Sequence, residues 1–198
     1  QENPTLAPPL LNGEGQKVQS QWLFTFLKAP IPIRPWLELR MPTFGLSNDH
    51  TGQLVDYFNN LSKVEFPFTF FDEKRVPPEY LDAAKKLVSK DYFNCFSCHQ
   101  QGDRKPEGPV DGWAPDLNLA HQRLNPNWII QWLKDPQKLQ PGTKMPSFYP
   151  GGPDDVLGGK EELQIEALRD YIMTLGRSGG TGSPPAPAAV SRAKPAGR

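Results

Sequence analysis

The sequence predicts an all-α protein. Three segments carry apolar residues at helical spacing, stretches dense in Pro, Gly and Asp separate them, and no βαβ pattern is visible. The first segment is "PPEYLDAAKKLVSKDYFN", residues 77–94. Pro78 suits a first helical turn, and Tyr80, Ala83, Ala84, Leu87 and Val88 fall near one face. The second is "NPNWIIQWLKDP", residues 125–136. Asn125 is placed to cap it, Pro126 takes its first position, Pro136 ends it, and Trp128, Ile129, Trp132 and Leu133 share a face. The third, "GGKEELQIEALRDYIMTLG", has acidic residues in its first turn and Gly176 at its end, with Leu163, Ala167, Leu168, Tyr171 and Ile172 as its apolar stripe. The intervening "QGDRKPEGPVDGWAPDLNLA" and "QKLQPGTKMPSFYPGGPDD" read as loops.

At 198 residues the chain is one ordinary domain or two small ones. Twenty-two residues of each sign cancel, so the global electrostatic footprint of a nucleic-acid binder is absent. No apolar run is long enough for a transmembrane helix, and membrane association is expected only through a partner or a removed segment. The start, "QENPTLAPPL", has neither the basic nor the apolar region of a signal peptide; it suits a mature chain whose signal has gone.

Both cysteines lie in "CFSCH", Cys95 to His99. In a C-x-x-C-H stretch two thiols add across the two vinyl groups of one haem, and the histidine is carried beneath the iron as proximal ligand. A structural zinc site needs two further Cys or His at suitable spacing, and His50 and His121 are isolated. A thioredoxin-like pair needs a βαβ surround. The motif therefore reads as covalent attachment of one haem c.

The chain also repeats itself. "APPLLNGEGQKVQSQWLFTFLKAP" falls beside "APDLNLAHQRLNPNWIIQWLKDP", "RMPTF" beside "KMPSF", and "TGQLVDYFNNL" beside "QIEALRDYIMTL". Trp22 thereby pairs with Trp128 and Pro30 with Pro136, both at a spacing of 106 (128 − 22 = 106), while Met41 pairs with Met145 and Tyr57 with Tyr171. The first copy has no cysteine, and no histidine before Met41. The expected organisation is a haemless unit over 1–61, an aromatic-rich connector over 62–75, a haem domain over 76–176 and a disordered Pro/Ala/Gly-rich tail over 177–198. The connector, with Phe66, Phe68, Phe70 and Phe71, is too apolar for a free linker and is expected to pack between the units or against another protein.

With CFSCH, the Gly/Pro loop after it, and KMP ahead of a terminal amphipathic helix, residues 76–176 resemble a monohaem class I cytochrome c domain of the His/Met kind. Residues 7–61 resemble the rear part of the same domain, as in tandem cytochrome c proteins. The resemblance implies a cytochrome c fold: a helix leads into the attachment motif and crosses the terminal helix, with Tyr92 or Phe93 meeting Tyr171 and Ala84 as the small residue of the first helix. It implies Cys95 and Cys98 as thioether anchors, His99 as proximal ligand, and the carbonyl of Pro115 or a neighbour as acceptor for the other ring nitrogen of His99.

Met145 lies 46 positions beyond His99 (145 − 99 = 46), on a Pro-bounded loop able to return over the opposite haem face. A thioether there raises the reduction potential relative to a second histidine; the plainer reading is a methionine filling a core gap. Met173 competes but is confined by its helix, and Met41 reads as core. Trp128 and Trp132 line the haem crevice or serve as core aromatics. His121 is expected to be exposed, a distal ligand only if Met145 is not one. His50 is expected at a helix start or on the surface.

The leading function is electron transfer through one haem c, by a subunit of a respiratory or photosynthetic electron-transport complex rather than an enzyme. By analogy with the family, the place is periplasmic or otherwise extracytoplasmic, and the partners are redox proteins of a membrane complex. The alternatives are a haem enzyme or gas sensor with an open distal position, a freely diffusing periplasmic carrier, and a structural haem serving a binding module in the first unit.

Overall fold

A computed structural model describes residues 10–34, 40–64 and 71–177. The middle of the expected connector, residues 65–70 with Phe66, Phe68 and Phe70, and the expected tail beyond Arg177 lie outside these. Eight α-helices and several single 3₁₀ turns make up the described chain: α1 (Glu14–Lys17), α2 (Ser20–Lys28), α3 (Asn48–Leu61), α4 (Pro78–Leu87), α5 (Ala120–Arg123), α6 (Pro126–Lys134), α7 (Pro136–Leu139) and α8 (Glu161–Thr174). Among the described residues β-pairing is limited to isolated bridges.

Two apolar clusters form. The larger gathers Ala84, Leu87, Ile129, Leu133, Ala167, Leu168 and Ile172, with α8 packed across α4 and α6. Ala84 and Ala167 are fully buried there, and such small side chains let two helices approach closely. The smaller joins Val18, Leu23, Leu27 and Val55, with Trp22, Phe24 and Phe58 around them, where α1 and α2 pack on α3. A Cβ on Gly15 would run into the Phe58 carbonyl, so glycine is required for α1 to lie this close to α3.

Several local expectations need correcting. The helix expected over 77–94 stops at Leu87; the chain then turns, Phe93 donates its amide to the Leu87 carbonyl at 2.9 Å, and Asn94 takes a left-handed φ of 49°. Asn tolerates that conformation better than most residues. Asn125 flanks α6 without capping it: its side-chain amide is spent on carbonyls of the first unit. The third helix is buried nearly all round, Gln164, Ile165 and Met173 included. Met41 is 40% exposed and is not core. His121 is half-buried, with Nδ1 3.0 Å from the Asn118 carbonyl. Phe93 stacks on Phe148 (4.4 Å) and meets Tyr149 edge-on (5.6 Å), while the Tyr92 hydroxyl donates to Asp155 at 2.6 Å. His50, by contrast, follows the Ser47 cap of α3 and is exposed, at the helix start and on the surface as expected.

The clusters meet through a local twofold. Gln19 donates its backbone N–H to the Arg123 carbonyl (2.8 Å), and Asn125 donates its own to the Lys17 carbonyl (2.9 Å), flanking a Val18–Leu124 bridge. The Gln19 side chain donates to the carbonyls of His121 (2.8 Å) and Leu124 (2.9 Å). The Asn125 side chain donates to those of Gly15 (3.3 Å), Gln16 (2.8 Å) and Val18 (3.0 Å). Lys17 Nζ lies over the Trp128 ring at 5.8 Å, and the Arg123 guanidinium over the Trp22 ring at 5.3 Å. Lys17 and Arg123, Val18 and Leu124, Gln19 and Asn125, and Trp22 and Trp128 are each 106 positions apart (125 − 19 = 106). Each side of the interface thus offers the other a side-chain amide and a cation over an indole.

Candidate haem site

The attachment motif sits in a 3₁₀ turn over Cys95–Ser97, entered through the left-handed Asn94. The His99 amide closes the turn on the Cys95 carbonyl at 2.9 Å. Cys95 is half-buried against the larger cluster and Cys98 is exposed. Burial pushes the Cys95 thiol up to about 12. A redox-active cysteine has its pKa lowered, so this environment does not favour a thioredoxin-like role. Among the described residues no group of three His, Cys, Asp or Glu could hold a metal ion, which leaves the zinc reading without ligands.

The segment after His99 is built to hold its ring. Ala114 donates to the Cys98 carbonyl at 2.7 Å and Leu117 to the Gln100 carbonyl at 2.9 Å, which brings the Pro115 carbonyl to 2.8 Å from His99 Nδ1. The Asp116 carboxylate secures the loop by accepting from the amides of Gly102 (3.1 Å) and Asn118 (2.8 Å). With Nδ1–H donated to a carbonyl, the lone pair is on Nε2, the tautomer a proximal ligand needs. Burial, opposed by the Pro115 carbonyl and by Asp116, lowers the pKa of the imidazole and keeps it neutral, the form that ligates iron.

Met145 is half-buried and packs on the same cluster as Cys95 and Trp128. Trp132 Nε1–H donates to its sulfur at 2.8 Å, and Trp128 stacks on Trp132 at 5.0 Å and 18°. Gln137 templates the methionine loop: its amide donates to the carbonyls of Thr143 (2.7 Å) and Met145 (3.2 Å), and its oxygen accepts from Gly142 (3.3 Å). Lys144 Nζ reaches the Asp111 carbonyl at 3.0 Å, tying this loop to the one beyond His99. Met173, 2% exposed in the core, is removed from competition. Sequence reasoning missed Gln137, Asp116 and the Trp132 donor. Only Asp116 left a signal, a "DLN" turn whose aspartate oxygen takes the amide two residues on.

Two thiols, a neutral imidazole with its tautomer set, and a thioether on a secured loop fit a covalently attached haem. What these elements define is a small helical domain that carries haem on its own polypeptide. Residues 81–176 match the family model for cytochrome c, and this part of the chain is a cytochrome c domain. Such a domain implies a covalently bound haem c and haem-based electron transfer. The chain is also similar to the cytochrome c oxidase subunit 2 of Bacillus subtilis (strain 168), 29% identical over 90 residues. That stretch covers 41% of this chain and 23% of the relative. No solved structure matches. No helix among the described residues is long and apolar enough to cross a membrane.

Proposed function

We propose that this protein passes electrons through a haem c anchored by Cys95 and Cys98 and ligated by His99 and Met145, as an extracytoplasmic subunit of a membrane electron-transport complex. A bound haem would supply the one-electron ferric/ferrous couple. The chain's residues attach it, hold both axial donors and limit water around it. The observation that carries the reading is the pairing of two secured donors: His99 held through Nδ1 by the Pro115 carbonyl, and Met145 held through its sulfur by Trp132. With both donors committed, no distal position is left for substrate, and the stacked Trp128 and Trp132 cover the methionine side. A thioether rather than a second imidazole raises the potential.

Likeness to an oxidase subunit supports placement in a complex that delivers electrons to a terminal acceptor, and the apolar residues exposed on the first unit support permanent docking over free diffusion. The test is the weak long-wavelength absorption band that a sulfur-to-ferric-iron bond gives. The oxidised protein is expected to show it and Met145→Ala to lose it; absence from the parent protein would put an open-site enzyme or sensor in first place.

A further inference from the structure

Four pairs of repeat-related residues differ in one respect, and always in the same direction. Met41, Phe44, Tyr57 and Leu61 are 40%, 61%, 58% and 49% exposed. Their counterparts Met145, Phe148 and Tyr171 are half-buried, and Leu175 is 8% exposed. In the second unit the cover is visible: α4 lies across α8, and Phe93, in the turn between α4 and CFSCH, stacks on Phe148 at 4.4 Å. In the first unit the principal contacts of α3 are with α1 and α2, the counterparts of α5 and α6. The aromatic pair beside the second unit's methionine is repeated as well: Trp22 stacks on Phe26 at 4.7 Å and 15°, as Trp128 does on Trp132.

We propose that this face of the first unit is a second haem site, completed by a haem-bearing helix that ends in C-x-x-C-H, with Met41 as the thioether ligand. The proposal rests on the His99/Met145 reading of the second unit. What lies on α8 there is a helix followed by the attachment motif, with Phe93 of that segment stacked on Phe148, and a like segment on the first unit would cover Phe44 in the same way. The occupant brings both thioether anchors and the proximal histidine, which the first unit lacks. The first unit brings the methionine, the apolar wall and the aromatic stack. Met41 would supply the thioether donor to the iron of the docked segment, and neither electrons nor protons would change hands. The local twofold at Val18 and Leu124 then sets the two haem sites in equivalent positions about one interface.

The probe is the N-acetylated haem peptide of residues 78–101, prepared from this chain with its haem attached, added to the full-length holoprotein carrying Met145→Ala. That variant has lost its own long-wavelength band, so any band gained reports a new iron–sulfur bond. One equivalent of peptide is expected to restore a band, and Met41→Ala in the same background to abolish it. Tyr57→Lys and Leu61→Lys, at exposed positions that leave the fold intact, are expected to weaken peptide binding roughly tenfold or more. No binding, binding without the band, or a band that survives Met41→Ala overturns the proposal. A parent protein without the band would instead sink the second-unit reading, so the two failures are distinguishable.

Discussion

Leu61 and Leu175 fall at the same place in the two aligned stretches of the sequence, yet one is 49% exposed and the other 8%. α3 ends at Leu61 and α8 one residue before Leu175, and the two helices are of equal length; what differs is what is laid across them. In the second unit α4 and the residue that follows it add Ala84, Leu87 and Val88 to the core, whereas the smaller cluster rests on Val18, Leu23, Leu27 and Val55. Helical periodicity specifies a face, and a second element decides whether that face is core. The largest expected effect follows directly. Leu175→Ala should cost about 2–5 kcal/mol in chemical denaturation of the holoprotein, and Leu61→Ala less than about 0.5 kcal/mol. Equal losses would mean that both faces are covered in the isolated chain and would break the comparison.

The interface between the units allows a sharper test because its two halves are equivalent. Asn125 serves three carbonyls across it and Gln19 two. Asn125→Ala leaves acceptors unserved at a cost of roughly 1–3 kcal/mol, and Gln19→Ala should cost somewhat less. The double variant is expected to lose less than the two single losses combined, since the donors brace one junction. Full additivity, measured in the same denaturation series, would show that the halves act independently.

A third difference concerns the aromatic stacks. Trp132 has an indole N–H on the Met145 sulfur, and its counterpart Phe26 has no such donor. Trp132→Phe should weaken the long-wavelength band and let added cyanide compete for the iron at about tenfold lower concentration, the effect of about 1.4 kcal/mol. Trp22→Phe, which also keeps an aromatic stack, should leave both readings unchanged. Cyanide binding unaltered by Trp132→Phe would show that the sulfur is held by its loop alone.

Much of the site was legible because its chemistry is local or strictly ordered along the chain. Cys95, Cys98 and His99 fall within five consecutive residues, and "KMP" follows at a distance that suits a return over the haem. The helix faces were legible where one side is wet: Ala84, Leu87, Ile129 and Leu133 are buried as their spacing implies. Residues that act over long sequence separations were hidden. Asn125 looks like a cap because Asn before Pro at a helix start usually is one, and nothing nearby reveals carbonyls 107 to 110 positions away. Met41 looked like core because a methionine without an attachment motif is normally packing; its 40% exposure is set by how the elements pack around it, which periodicity does not encode. Gln137 sits among polar loop residues and is distinguished only by where the chain folds back.

The smallest expected effect separates the two cations of the local twofold. Burial, reinforced by Arg123 and Arg34 and opposed by Glu14, lowers the Lys17 pKa from its ordinary 10.5. Below the folded-state pKa both states hold the proton. Between that value and 10.5 the unfolded chain holds it more firmly, so stability rises as pH climbs through this alkaline window. Lys17→Met should flatten the rise. Arg123→Met should leave most of it, because burial is the first cause at Lys17 and a guanidinium releases no proton in this range. Denaturation curves of the three proteins across the window decide the matter: parallel pH profiles for parent and Lys17→Met would mean that the lysine is solvated, and that the contact over Trp128 is not the desolvated counterpart of the one over Trp22.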